Sequence, residues 1–299
     1  TDGVNQAAKY DGTDYIKIHS ENAPDAPKYS TVFANHLFLA GDASYPYNLY
    51  FSAPSDDLDF SPASGSGVIN VGFAITQIIG FRNQLYIFGK DSIKRLVGNN
   101  FANFALESVT NDLGCLASDT VIEFGGDILF LGPDGIRPVS GTNRIGDIEL
   151  ATVSKEIQKT FENYTAFEDI TKLKAVTVRR KSQFRLFFED SASLSLIGAV
   201  RKGPTTSSAF EYSQLVGIEA TAVASGYIGQ FEFVIHGDSI GRVHRQEIGN
   251  SFNGAEILSV YQTPYYFMDD PEIRKLFHKV KTFLKTEGET DIALGINFN

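Results

Sequence analysis

Two histidines in the second half of the chain are placed so that they could bind a metal ion together. His236 and His244 flank a turn that contains Asp238, so a β-hairpin would bring the two imidazoles side by side. Zinc sites need three or four ligands, and no third ligand with suitable spacing accompanies this pair. The sequence therefore predicts two hairpin histidines and no metal site.

Three carboxylates lie within four residues in a polar stretch, residues 54–66, that has no periodicity. Asp56, Asp57 and Asp59 carry the oxygen ligands that Ca²⁺ prefers. Their spacing is not that of an EF-hand, and no later glutamate closes the group. We interpret the stretch as a surface loop with a solvated acidic turn.

No residue of the chain has the sequence context of a nucleophile. The single cysteine, Cys115, lies in Asp-Leu-Gly-Cys-Leu-Ala-Ser, which offers no base, and we expect it to be a buried small apolar residue. One cysteine excludes an intrachain disulfide and suggests assembly in a reducing compartment. No Gly-x-Ser-x-Gly elbow, phosphate-binding loop or carboxylate pair stands out. We predict no catalytic residue, no cofactor and no enzymatic activity.

The basic residues of the chain concentrate in one place. Arg179, Arg180, Lys181 and Arg185 lie close in sequence, with Arg201 and Lys202 a strand later, whereas the whole chain carries a net charge of −10. Tight binding of nucleic acid depends on cationic contacts with phosphates. In so acidic a chain we expect instead a solvated hairpin tip or an ion-pairing contact with a partner. An acidic wall could still surround duplex DNA without holding it.

A strand, a tight turn and a second strand recur along the chain. Residues 81–96 (Phe-Arg-Asn-Gln-Leu-Tyr-Ile-Phe-Gly-Lys-Asp-Ser-Ile-Lys-Arg-Leu) are followed by a similar stretch at 124–139, in which Asp134 stands 43 residues after Asp91. Looser copies lie at 35–52 and 230–245. Units with a period of about 40–45 residues are typical of propeller blades, since one such sheet cannot bury its own faces.

The repeat predicts an all-β fold of β-propeller-like antiparallel blades with one short amphipathic helix. We assign the strands near 68–71, 75–80, 84–88 and 93–97 to one blade, and those near 104–109, 120–124, 128–131 and 136–139 to the next. Further strands are predicted at 257–262, 276–284 and 291–298. The apolar runs of the central strands predict burial on both faces.

The helix is expected over residues 152–164. Val153, Ile157, Phe161 and Tyr164 recur at helical spacing, after a Thr or Ser that can cap the first turn. The helix could cover a sheet edge or present a docking surface to a neighbouring subunit.

Three parts follow from this order: residues 1–27 as entry strand and linker, 28–262 as the propeller-like domain, and 263–299 as a β segment that closes the propeller or starts a second domain. No apolar run is long enough for a membrane helix, so we expect a soluble protein without membrane insertion. The chain begins with Thr and stops within a predicted strand, so a processed chain or a piece of a longer one is expected.

Several stretches together resemble a known family. They are 48–54 (Asn-Leu-Tyr-Phe-Ser-Ala-Pro), 81–88, Gly114-Cys115 before 128–137 (Ile-Leu-Phe-Leu-Gly-Pro-Asp-Gly-Ile-Arg), 144–150, His236-Gly-Asp, 245–252, 263–265 and 270–275. In this order they resemble the β-propeller-like virion proteins of tailed bacteriophages, in particular tail nozzle and packaged-DNA stabilisation proteins.

The resemblance implies a structural tail component, made in the bacterial cytoplasm and located in the virion. It implies a ring, expected to be a homohexamer, that contacts tail, adaptor or portal-proximal proteins. The ring would retain the packaged genome and conduct double-stranded DNA without sequence-specific binding. The family has no catalytic residues that could be assigned to positions of this chain.

The alternative is a receptor- or glycan-binding propeller, with loops 54–66 and 191–195 presenting aromatic and polar groups. A glycoside hydrolase on a propeller is a third, least favoured option.

Overall fold

The computed structural model describes residues 1–142, 152–165, 169–188, 195–202 and 208–249, with shorter stretches between 251 and 296. The chain divides into two units, Thr1–Glu247 and Ile248–Asn299. The strands that could be assigned all lie in the first unit, which is a β-propeller of five antiparallel blades. The predicted fold class is confirmed.

Each blade is a sheet whose strands follow one another in chain order. Blade 1 contains β3 (Tyr29–Phe33), β4 (His36–Ala40), β5 (Asn48–Phe51) and β6 (Gly67–Asn70). Blade 2 contains β7 (Gln77–Phe81), β8 (Gln84–Phe88), β9 (Ile93–Val97) and β10 (Ala105–Thr110). Blade 3 contains β11 (Ile122–Phe124), β12 (Asp127–Gly132) and β13 (Gly135–Pro138). Blade 4 contains β14 (Lys174–Val178), β15 (Gln183–Phe187), β16 (Ser195–Lys202) and β17 (Ser208–Leu215). Blade 5 contains β18 (Ala222–Ile228), β19 (Phe231–Gly237) and β20 (Val243–Arg245).

The repeated sequence unit is the second and third strand of a blade. It produces β4–β5, β8–β9, β12–β13 and β19–β20, and the tight turn before it is also repeated. In blade 2 this turn is Arg82-Asn83, with φ of +47° and +59°, and in blade 3 it is Gly125-Gly126, with φ of +62° and +79°. Two consecutive positive φ values define the type I′ turn, whose twist matches that of the paired strands.

The blade boundaries predicted from sequence are wrong by one strand. Strand β6, predicted to open the second blade, pairs with β5 and completes blade 1. Strand β10, predicted to open the third blade, pairs with β9 and completes blade 2. Alternation of apolar residues identifies a strand but not the neighbour to which it hydrogen-bonds, so the sequence pattern could not set these boundaries.

Apolar cores join the first four blades in chain order. Blades 1 and 2 share a cluster that includes Phe38, Phe51 and Leu85. Blades 2 and 3 meet through Phe88 and Phe130, whose ring centroids are 5.4 Å apart. A third cluster packs blade 3 against blade 4. These blades therefore stabilise one another face to face, as the sequence predicts.

The remaining face of blade 1 is covered by the N-terminal residues. A two-stranded hairpin, β1 (Ala8–Tyr10) with β2 (Tyr15–Lys17), is flanked by the buried residues Ala7 and Ile18. These residues pack with Phe60, from the 54–66 loop, against Leu39 and Tyr50 of blade 1. The N-terminal segment thus acts as a cap on the first blade.

The predicted helix is present and has a structural role. A 3₁₀ turn (Lys155–Ile157) leads into helix α2 (Gln158–Thr165), after a single helical turn, α1, at Val139–Thr142. Phe161 is buried in the core of blades 3 and 4, and Val153 and Ile157 pack beside it. The fourth residue of the pattern, Tyr164, has its side chain outside the described part. These three side chains pack on the core of blades 3 and 4.

The second unit differs from the sequence prediction. None of the described residues of 257–262, 276–284 and 291–298 forms a strand, and Phe277, Leu284 and 297–299 lie outside the described residues. Leu258 is 85% exposed and Tyr261 is 91% exposed. A strand requires a hydrogen-bonded neighbour, which alternation alone does not supply.

Candidate functional site

The basic hairpin tip of blade 4 is bound by an acidic residue of blade 5. Glu232 on β19 accepts hydrogen bonds from the backbone N–H groups of Arg179 (2.7 Å) and Arg180 (2.9 Å). The two arginines begin a 3₁₀ turn, so the carboxylate satisfies donors that the turn leaves unpaired. The Arg179 guanidinium also donates to Ser225 Oγ at 3.3 Å. The sequence predicts a solvated hairpin tip or an ion-pairing contact with a partner, whereas these contacts of the tip are made to blade 5 of the same chain.

A buried arginine forms the centre of the same contact. Arg185 on β15 is 4% exposed and donates from Nη1 to Gln246 Oε1 at 2.6 Å and from Nη2 to Glu247 Oε1. Lys181 donates to the other oxygen of Glu247. Burial alone would raise the pKa of the Glu247 carboxyl, but the hydrogen bonds from Lys181 and Arg185 hold it below its ordinary value. We call these four residues the blade 4–5 clamp. It contrasts with the apolar cores between the earlier blades.

The two histidines do come together, next to the clamp. His236 and His244 are register partners on β19 and β20, with ring centroids 5.0 Å apart and planes at 21°. His244 Nε2 lies 2.9 Å from Asp238 Oδ2, and Gln246 Nε2 lies 3.2 Å from His236 Nδ1. Burial, and then the nearby His244, lower the pKa of His236.

These contacts engage one ring nitrogen of each histidine, Nδ1 of His236 and Nε2 of His244. Within the described residues, no three His, Cys, Asp or Glu side chains form a group that could hold a metal ion. The predicted pairing of the two histidines across a hairpin is confirmed.

The three aspartates of the 54–66 loop point to different partners. Asp57 pairs with Lys9 at 2.8 Å, whereas Asp56 and Asp59 accept hydrogen bonds from backbone N–H groups two residues further on. The carboxylates therefore shape a turn and do not converge on an ion. Phe60 is only 1% exposed, so the one aromatic ring of this loop faces the core of the protein. In the other loop proposed for glycan binding, 191–194 lie outside the described residues.

Cys115 is buried, as predicted. Its side chain is 0% exposed in the core between blades 2 and 3, and burial raises the pKa of its thiol to about 11. The thiol donates to Ala117 O at 3.0 Å. A protonated thiol without access to solvent is not a nucleophile.

An open cleft of about 650 Å³ lies at the N-terminal segment. Its lining includes both acidic and basic side chains, among them Asp2, Lys17 and Asp25. Asp2 accepts hydrogen bonds from Asn5, both from its backbone N–H at 2.7 Å and from its side chain at 2.7 Å. Asp2 and Asn5 thus bind each other within the segment.

The face of blade 5 that points away from blade 4 is exposed and apolar. Cross-strand partners share a face of a sheet, and the pairs Ile228–Phe231 and Ile235–Arg245 lie on the face opposite Glu232 and His236. We call this the outer face of blade 5. Its large apolar residues are Ile228 (67% exposed), Phe231 (65%), Phe233, Ile235 (37%) and Val243 (73%). Arg245 lies over the Phe233 ring, with its Cζ 3.7 Å from the ring centroid.

Sequence reasoning missed the acidic side of the clamp and the outer face. The sequence assigns no role to Glu247 of the clamp or to Glu232 beside it, although a signal exists: carboxylates on one repeat unit follow a basic hairpin on the preceding unit. The exposure of Phe231 and Val243 had no sequence signal, because apolar alternation predicts a sheet face without showing whether a neighbour covers it.

None of the helices in the described part of the chain is long and apolar enough to span a membrane. No family model matches the chain, and no curated protein sequence matches it.

Proposed function

We propose that this chain is a non-catalytic structural subunit of a tailed-bacteriophage virion. Copies of it form a ring in the tail, as a nozzle or as a channel ring between head and tail. The ring retains the packaged genome and lets double-stranded DNA pass during ejection. Its neighbours are further copies and other tail, adaptor or portal-proximal proteins.

The packing of the blades supports a mechanical role. Cores of aromatic and aliphatic side chains join blades 1 to 4, and rings such as Phe38 and Phe51, 5.7 Å apart, fill the interfaces. Close-packed interiors have low compressibility, so a wall built from such blades resists deformation. A channel that confines DNA needs this stiffness.

The distribution of charge supports passage of DNA rather than binding. The chain has 36 acidic and 26 basic residues. In its main basic hairpin, Lys181 and Arg185 are already paired with Glu247. Phosphate binding requires cations that are available to the nucleic acid. A surplus of negative charge repels the duplex and keeps it from adhering to the wall.

The observation that carries the proposal is the outer face of blade 5. A contiguous apolar sheet face that is exposed in the isolated chain marks a protein–protein contact. Blade 1 has its corresponding face covered, so the two ends of the blade series differ. Such a subunit is suited to join others in an assembly.

Light scattering and negative-stain electron microscopy of the purified full chain test the proposal. We expect closed rings, six-fold by the sequence resemblance, with a central channel wide enough for duplex DNA. A protein that stays monomeric across a concentration series, or a ring whose centre is filled, would contradict it.

A further inference from the structure

The outer face of blade 5 combines apolar side chains with one cation. Val243 and Phe231 are among the most exposed apolar residues of the blade, and Arg245 is exposed beside them. Arginine held against an aromatic ring keeps a fixed orientation, which favours pairing with a carboxylate. The partner of this face should therefore be apolar or aromatic and should carry negative charge.

The tip of the β1–β2 hairpin has these properties. Tyr10 and Tyr15 are register partners, so they lie on the same face, and each is 67% exposed. Asp11 and Asp14 lie between them and are exposed. Lys9, at the next register position, is already paired with Asp57. The tip is thus an aromatic surface with net negative charge.

The position of this hairpin agrees with head-to-tail assembly. The hairpin belongs to the N-terminal segment that caps blade 1, at the opposite end of the blade series from blade 5. A contact between two different surfaces of identical chains is heterologous, and repeated contacts of this kind close into rings when the rotation permits.

We infer that the outer face of blade 5 binds the β1–β2 hairpin of a second copy of this chain. Val243, Phe231 and Ile235 pack against Tyr10 and Tyr15, and Arg245 pairs with the acidic tip. The inference rests on the proposed self-assembly and names its contact surfaces.

Sedimentation velocity of the full-length chain and its variants tests the apolar part. Val243→Asp places a charge at the centre of the contact and should weaken self-association at least about tenfold. Val216→Asp is the control, because Val216 is an exposed valine (53%, against 73% for Val243) that follows β17 of blade 4 and belongs to neither proposed contact surface. The control should assemble as the unmodified chain does.

A charge exchange tests the choice of partner surface. Arg245→Glu should weaken assembly, and adding Asp14→Arg to the same chain should restore most of it, since each contact then regains an opposite pair. Restoration distinguishes a direct contact from a general loss of folding. A double variant as weak as Arg245→Glu alone would overturn the hairpin as partner.

The failure of this inference can be told from the failure of the proposed function. Rings that persist in Val243→Asp would overturn the contact but leave the ring function standing. A monomeric unmodified chain would overturn both. A Val243→Asp variant whose assembly has the same mass as that of the unmodified chain, but whose melting temperature is lower, would show that the face packs within its own chain. That result also overturns the inference.

Discussion

Replacing Glu247 with alanine should loosen the attachment of blade 5 to blade 4. The side chain of Arg185 is 5% exposed and that of Glu247 is 37% exposed, so the pair is buried on one side only. Breaking a fully buried pair costs about 3–5 kcal/mol, because it leaves an uncompensated charge in the interior. Exposed pairs contribute about 0–1 kcal/mol. Water can reach the Glu247 side of the contact, and Gln246 remains bound to Arg185, so we expect a loss of about 2–3 kcal/mol in the free energy of unfolding.

Urea denaturation of the full chain, followed by circular dichroism, measures this loss. Asp57→Ala is the matched control, since it removes an ion pair in which both partners are exposed, and its midpoint should barely change. The double variant Arg185→Met with Glu247→Ala should be more stable than the sum of the single losses predicts, because no buried charge is left unpaired. A midpoint for Glu247→Ala equal to that of Asp57→Ala would refute the reasoning.

The same carboxylate contributes to the dependence of stability on pH. Its pKa is lower in the folded chain than its ordinary value of 4.5, so its contribution is fully present above pH 4.5 and is lost as the pH falls through the folded pKa. Glu247→Gln should therefore reduce the loss of folding stability as the pH falls below 4.5. An unchanged pH profile below 4.5 would contradict the clamp geometry.

Three further predictions concern single side chains. His236 should make the fold less stable as the pH falls through its ordinary pKa of 6.5, because its pKa is lowered in the folded state and only the unfolded chain takes up the proton. His236→Gln should remove this pH dependence of stability, which denaturation midpoints above and below that pH measure. An identical pH dependence in the variant would contradict the prediction. Gly114→Ala should lower the free energy of unfolding by about 1–3 kcal/mol or more, since the new Cβ would lie 2.2 Å from Gly89 O and 2.4 Å from Lys90 C. Thermal unfolding measures this loss. Gly226→Ala, with no atom within 4 Å of the new Cβ, is the control, and equal effects would argue against the packing. Cys115 should react with a thiol reagent only as the chain unfolds, because the thiol is buried with a pKa of about 11; rapid labelling of the folded protein would contradict its burial.

The strands could be predicted from sequence where alternation and turn chemistry agree. Strands β8 (Gln84–Phe88) and β9 (Ile93–Val97) begin and end where predicted, because their apolar runs are bounded by a type I′ turn and a Gly-containing loop. The grouping into blades failed at β6 and β10, since pairing depends on contacts that no local pattern specifies. The predicted strand at 257–262 failed for a related reason: its apolar residues fit a strand, but none of the described residues pairs with it as a strand neighbour.

The candidate site was less accessible to sequence reasoning than the fold. The basic residues of the clamp, Lys181 and Arg185, were recognised, but their partner Glu247 is more than sixty positions away in the chain. Only the packing of blade 5 on blade 4 brings these charges together. Similarly, the sequence predicts a strand, a turn and a second strand at 230–245, whereas the exposure of Phe231 depends on which blades lie beside it.

The proposed role is tested most directly by immunogold electron microscopy of the phage particles to which the proposal assigns this chain. An antibody against the chain should label the particle at the tail axis or the head–tail junction, and the labelled ring should enclose an open channel. Particles that carry no label even after mild disruption of the tail, or label confined to receptor-binding fibres, would contradict a structural ring that retains and conducts DNA.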